Sequence, residues 1–284
     1  MTPSVQNRVE LTTEARTWLE THLDRELELP LLPEAAARVV ALCEDEDADA
    51  RALESVLERD PSLTACVLKV ANSSVYASKE PIVSLQHAVS RLGMSTVRNL
   101  ALTNSLQGRV FDVPGHAPLV QDVWVHCAVT AVFAREIGRK LRRNVEAAFL
   151  CGLIHDVGRP IVLQTALRLP RSLGTFTGAQ LELAMDTYHE RVGARLVKAW
   201  GLADWTAAAV LHHHDPESAA PYEEEARITR LADLLAHWVL TPGSGPEDFP
   251  VLDPVVLALN LYPEDLDALL ALRERVLLAS EALQ

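Results

Sequence analysis

Apolar residues recur every three or four positions along most of the chain, the period of an amphipathic helix, and no stretch keeps the strict alternation of a half-buried strand. Leu31-Leu32-Pro33 opens a helix through "EAAARVVALCE", with Ala36, Val39, Val40 and Cys43 on one stripe. The acidic run Glu44 to Ala50 ends that stripe as a solvated connection carrying a cap, and "ALESVLERD" follows as a second helix. Asp60-Pro61 is a helix start, Asp60 as N-cap and Pro61 at the first helical position, and it groups Leu63, Val67, Leu68 and Ala71. Ser84 starts a helix that Gly93 stops, and Ser95 starts the next. "DVPGHAP" from Asp112 to Pro118 is the strongest boundary in the chain. Helical spacing resumes over 119–141, 145–158 and 179–200, with Pro160 barring simple continuation of the second. Asp204 caps a shorter helix ending at His212 to His214, "EARITRLADLLAHWVL" makes another, and Thr241 to Pro250 is a second linker. The tail from Leu252 onward reads as two short amphipathic helices. The expected fold is all-α, a two-lobed helical bundle. Its parts are an N-terminal helical extension (1–27), a first lobe (28–111), a second lobe (119–240) and C-terminal helices (251–284).

Composition sharpens this picture. Apolar residues make up 49% of the 284 and aromatics only 5%, a mixture that suits helices better than a β-sandwich. A net charge of −13 repels a phosphate backbone, so nucleic-acid binding is not expected. The basic segment Arg135 to Arg143 reads as the cationic end of a helix. Cys43, Cys66, Cys127 and Cys151 show no paired spacing and lie in apolar runs, so they read as buried free thiols of a reducing compartment. The polar, acidic N-terminus carries no signal-type apolar region, and no apolar run reaches bilayer length. The expected location is the cytoplasm, away from membranes.

Candidate chemistry centres on "FLCGLIHDVGRPIV", Phe149 to Val162. Leu150, Leu153, Ile154 and Val157 form an apolar seam, and His155 and Asp156 interrupt it side by side. On a helix the two would diverge by about 100° yet reach one ion between them. Imidazole nitrogen with carboxylate oxygen suits Fe, Mn, Ni or Zn. His126, His189, and His212 with His213 lie on other predicted helices, and Asp233 stands mid-helix, where an unpaired buried carboxylate is costly. Each has a plainer reading: a satisfied core histidine, a carboxylate paired with arginine, or for His214 a helix-end residue favoured by the dipole. Sequence spacing alone does not bring any two of them together. Asn72, Ser73, Ser74, Arg98 and Asn99 are polar spots in the apolar first lobe. They either end helices or bridge to another lobe or a ligand.

The order His126, His155-Asp156, Asp233 resembles the HD superfamily of metal-dependent phosphohydrolases. "LPLLP", "RDPSLTACVLKVANSSVYASKEPIVSLQHAVSRLGMSTVRNLAL", "GLIHDVGRPIVL", "HERVGARLVKAWGL" and "AAAVLHHHDP" narrow the resemblance to its HDOD (HD-related output domain) family, over about residues 28 to 240. That resemblance implies an all-helical fold whose second lobe is HD-like, and a bacterial signal-transduction module that binds proteins or ligands. It implies a divalent metal at His126, His155, Asp156 and Asp233, with His189, His212 and His213 holding a second metal or a phosphate. Partners are then signalling proteins in trans, or a nucleotide or other phosphoester. Were the site catalytic, Asp156 and Arg159 would stand beside the water that the metal activates. Relatives that cleave cyclic-di-GMP carry Lys after His-Asp and a Gly-Tyr-Pro block; this chain has Arg159 and "HHHDPESAAPYEEE", which speaks against that activity.

Overall fold

The computed structural model describes residues 9–45, 47–73, 81–251, 253–281 and 283, and all regular structure among them is helical. In chain order the helices are α1 (Thr13–Thr21), α2 (Glu34–Glu44), α3 (Ala50–Leu57), α4 (Pro61–Ala71), α5 (Leu85–Leu92), α6 (Met94–Arg109), α7 (Ala117–Lys140) and α8 (Val145–Ile154). There follow α9 (Gly158–Ala166), α10 (Gly178–Ala199), α11 (Asp204–His212), α12 (Glu223–Leu240), α13 (Pro254–Ala258), α14 (Pro263–Leu270) and α15 (Arg273–Glu281). Residues 1–8 of the expected extension, Glu46 in the acidic run, Ser74 and Leu252 lie outside the described residues.

Most helix starts follow from local chemistry. The side chains of Asp49, Asp60, Ser84 and Asn144 each accept a backbone N–H in the first turn of α3, α4, α5 and α8, and Pro61 occupies the first turn of α4. Gly93 ends α5 at φ +81°, a conformation that disfavours side chains, and α6 begins at once at Met94 rather than at Ser95. Asp204 is the first residue of α11, and Ala203 takes the cap position.

Three apolar clusters organise the helices. Ala36, Val39, Leu53, Leu57, Leu63, Val67, Val89 and Val97 gather α2–α6 around one. Further along α6, Leu102 and Leu106 turn to a second, which they share with Trp124, Phe149, Leu153, Val192 and Val210. Leu19 of α1 and Leu23 beyond it join this second cluster, so the N-terminal segment packs on the later helices. A third cluster sets Val129, Phe133 and Ile137 of α7 against Ile228, Leu231 and Leu235 of α12 and the tail. Because α7 feeds two clusters, it is apolar nearly all round. By length and composition it is the one described helix that meets the requirement for a bilayer span, against the sequence expectation of none, but 61% of its apolar window is buried within the protein.

Three further expectations change, and the one for Pro160 holds. The helix entering the His155-Asp156 pair stops at Ile154, and His155, Asp156 and Val157 form the turn into α9. Pro160 falls in the first turn of α9, where its missing N–H leaves no partner unsatisfied. The tail holds three helices, not two: Pro254 and Pro263 each open one and α15 follows. Cys127 and Cys151 are buried, whereas Cys43 and Cys66 are half-buried; all four are free. Burial pushes the Cys43 thiol up to about 11. The basic end of α7 is consumed in ion pairs, Arg135–Glu146, Arg139–Glu136, Lys140–Asp265 and Arg143–Glu224.

The polar spots of the first helices have structural work. Asn72 ends α4, donates to the Leu68 and Ile82 carbonyls and accepts from the Ile82 N–H, tying the two sides of the intervening segment. Asn99 donates to the backbone and carboxylate of Glu146, both at 3.0 Å, and thereby bridges α6 to α8. Arg98 is buried beside Glu44 at 3.1 Å.

Candidate metal centre

The turn between α8 and α9 is held in a narrow slot. An atom added at Gly152 would lie 2.8 Å from the Thr130 carbonyl, and one at Gly158 would lie 2.0 Å from the His189 carbonyl. Only glycine at these two positions lets α8 approach α7 and α9 approach α10 so closely. The slot sets His155 and Asp156 between His126 on α7, His189 on α10 and Asp233 on α12.

Of the sequence candidates, His126, His155, Asp156, His189, His213 and Asp233 meet in one buried cluster. His126 Nε2 lies 3.2 Å from His155 Nε2 and 3.0 Å from Asp233 Oδ1. Asp156 reaches both sides: its Oδ2 is 3.7 Å from His155 Nε2, and its Oδ1 is 3.2 Å from His189 Nε2 and 3.9 Å from His213 Nε2. His212 does not join. It is half-buried at the end of α11, and His213 and His214 approach His189 in its place. Adjacent residues at a helix end face different ways, so a run of three histidines does not reveal which two turn inward. His237, one turn beyond Asp233, also enters, with Nε2 3.2 Å from Asp233 Oδ1; its i,i+4 spacing from the buried aspartate was the available signal.

Proton placement shows which atoms of the cluster are free to accept a cation. A carbonyl only accepts, so the contacts of His155 Nδ1 with Gly152 O, His189 Nδ1 with Met185 O and His213 Nδ1 with Val210 O each place a proton on Nδ1. Burial holds His155 neutral, with its pKa moved down to about 4, and holds His213 neutral likewise. Their Nε2 atoms therefore present lone pairs. His189 and His213 stand 3.3 Å apart through Nε2, next to Asp156 Oδ1, a buried oxygen with no hydrogen-bond partner. Burial alone would raise the Asp156 carboxyl, but in the acid range where it would titrate, the then-protonated His155 and Arg159 beside it, the guanidinium Nε at 2.6 Å, hold it well below the usual range. Two imidazole nitrogens and a carboxylate oxygen converge out of water, an arrangement that a shared cation, a proton or a metal ion, would relieve. This donor set fits a borderline divalent ion. The backbone contacts at Nδ1 orient the rings in the way that second contacts orient imidazoles in metal sites.

His214 is different. Arg230 donates to its Nδ1 at 3.2 Å, and because arginine never accepts, the proton of this imidazole lies on Nε2. Arg230 also meets Asp233 Oδ2 at 3.4 Å and Asp253 at 3.3 Å, linking the centre to the cap of α13. A cavity of about 370 Å³ opens onto the cluster, lined among others by His126, Asp156, Arg159, Met185 and His237.

The HDOD domain family matches residues 29–216. The chain belongs to the HDOD family. Asp233 and His237 lie beyond the matched stretch, although the fold returns both to the HDOD centre. A provisionally named metal-dependent phosphohydrolase from Shewanella amazonensis shares the fold with TM-score 0.72 and 22% identity, covering 94% of this chain and 98% of its own. A provisionally named signal transduction protein from Marinobacter aquaeolei gives TM-score 0.65 and 25% identity over 95% of this chain and 65% of its own. Ribonuclease Y of Fervidobacterium nodosum is 27% identical over 128 residues, 45% of this HDOD chain. The match spans only 20% of that curated relative's length.

Proposed function

We propose that this chain is a cytoplasmic bacterial signal-transduction protein whose regulatory state depends on divalent metal. One ion is held by His126, His155, Asp156 and Asp233, and a second by Asp156, His189 and His213, with Fe, Mn, Ni or Zn as the ions of matching chemistry. The observation that carries this reading is the buried Oδ1 of Asp156, which has no hydrogen-bond partner and lies 3.2 Å from His189 Nε2 and 3.9 Å from His213 Nε2. Ligation would join α7, the α8–α9 turn, α10, α11 and α12, and so fix the surface these helices offer to a signalling partner in trans. The test is metal content and chelator response. Wild type loses thermal stability when stripped, and the double variant His155→Ala, Asp156→Ala neither holds metal nor responds to chelator. A wild type that carries no metal after supplementation refutes the reading.

Hydrolysis of a small phosphoester is the second reading, favoured by the cavity that opens directly onto His126, Asp156, Arg159 and His237. Bound metal there would supply Lewis acidity and an activated water. Arg159 is fixed by Asp156 through Nε and by Asp186 through Nη1, which leaves Nη2 for a phosphate oxygen at the cavity wall. The net charge of −13 supports a nucleotide or similar small ester over a nucleic acid. A panel of nucleotides, cyclic dinucleotides and simple phosphomonoesters, assayed with metal-loaded wild type and Arg159→Ala, tests it. Turnover that falls at least tenfold in the variant supports this reading, and no turnover of any ester rejects it.

A further inference from the structure

His237 is absent from the sequence pattern that marks the other donors. We propose that it is a ligand of the ion held at His126, His155 and Asp233, an inference that rests on the metal reading above. Asp233 Oδ1 has three imidazole nitrogens around it: Nε2 of His126 at 3.0 Å, of His237 at 3.2 Å and of His155 at 3.8 Å. The His155 nitrogen carries a lone pair rather than a proton and lies 3.2 Å from His126 Nε2, so the one proton of that His126 nitrogen would have to serve both His155 and Asp233. An ordinary i,i+4 Asp–His pair accounts for His237 and Asp233 alone. A cation shared among the four accounts for the whole arrangement. The donor atoms of His126, Asp233 and His237 all lie within 4.8 Å of one another, and the rings of His126 and His237 lie side by side with centroids 4.4 Å apart.

His237 differs from its neighbours in exposure. Its side chain is 64% exposed where that of Asp233 is 2%. It lines the cavity over the centre and also the adjoining one formed with Trp238, Thr241 and Ser244. It therefore closes the solvent side of the first ion, at the place where a ligand entering the cavity would meet it. Adding a third imidazole shifts the set towards Zn, Ni, Co or Fe and away from Mg.

Cobalt(II) reports this directly, because its visible ligand-field bands follow the number and type of donors. Wild type, H237A and H237Q would be stripped of metal, checked for native helical content by circular dichroism, and titrated with Co(II). The inference expects H237A and H237Q to bind at least tenfold more weakly with a changed band, and expects millimolar imidazole to restore the wild-type band in H237A. A residue that only orients Asp233 would leave the band unchanged and unresponsive to imidazole, which overturns the inference while the metal reading stands. If wild type takes up no Co(II) at all, the metal reading itself fails, and this inference with it.

Discussion

Replacing Gly158 by alanine puts the geometry of the centre under a measured load. The added Cβ would lie 2.0 Å from the His189 carbonyl oxygen and 2.8 Å from both His189 C and Gly193 N. All three are backbone atoms within α10, so no side-chain rotation relieves the contact. Since Cβ atoms essentially never approach other heavy atoms closer than 3.0 Å, α9 must retreat by about 1 Å. Overpacking a core costs about 1–3 kcal/mol, and an obstacle made of helix backbone belongs at the upper end. For a chain of this size about 3 kcal/mol lowers Tm by roughly 6–12 °C. The same retreat draws Asp156 away from His189, now 3.2 Å apart, by far more than the roughly 0.2 Å tolerance of a metal–ligand distance. G158A is therefore expected to lose stability in urea titrations and to bind Zn at least tenfold more weakly in equilibrium dialysis. G108A is the control: an exposed position in α6 with nothing within 4 Å of the added atom, expected to be neutral or up to about 1 kcal/mol stabilising. A G158A protein within about 0.5 kcal/mol of wild type and with unchanged Zn binding would refute the argument.

Other consequences follow from the same contacts. In metal-free protein, burial lowers the His155 pKa to about 4, so between about pH 6.5 and 4 the unfolded chain binds a proton that the native chain refuses. Stability should fall with acidity, by about 2 kcal/mol from pH 7 to pH 5 for this group alone. The exposed His237, raised by Asp233, opposes that trend slightly; urea midpoints that rise between pH 7 and 5 would contradict the sign. Arg230→Ala removes the cation beside Asp233 Oδ2 and frees His214 Nδ1, and should weaken metal binding about 10–100-fold with the fold retained, a loss that dialysis would detect. Asn99→Ala cuts both hydrogen bonds from α6 to Glu146 and should cost about 1–3 kcal/mol in chemical denaturation without changing metal content.

The all-helical fold was legible because apolar spacing and capping residues agree along the chain: Asp60-Pro61, Ser84 and Gly93 mark helix ends as the structure has them. What periodicity could not disclose was the break at His155. The apolar pattern runs straight through it; Pro160 signals that the helix ends nearby, but the turn at His155 that sets Gly158 against α10 is a tertiary feature joining residues distant in sequence. The order of histidines and aspartates named most of the cluster, but not which of His212, His213 and His214 turn inward, since that depends on how α11 ends against α10 and α12. His237 was passed over because it stands on an exposed face, and only the placement of α7 beside α12 gives it His126 as a neighbour. The wide apolar surface of α7 likewise makes sense only once two clusters are seen to claim opposite sides of one helix.

The central claim is that this cluster holds metal, and elemental analysis tests it most directly. Wild type should be purified without a metal-capturing tag, beside His155→Ala, Asp156→Ala prepared in the same way. The account predicts about one or two equivalents of Fe, Mn, Ni or Zn in wild type and none in the variant. Wild type without metal even after supplementation, or a variant that retains the full complement, would contradict it.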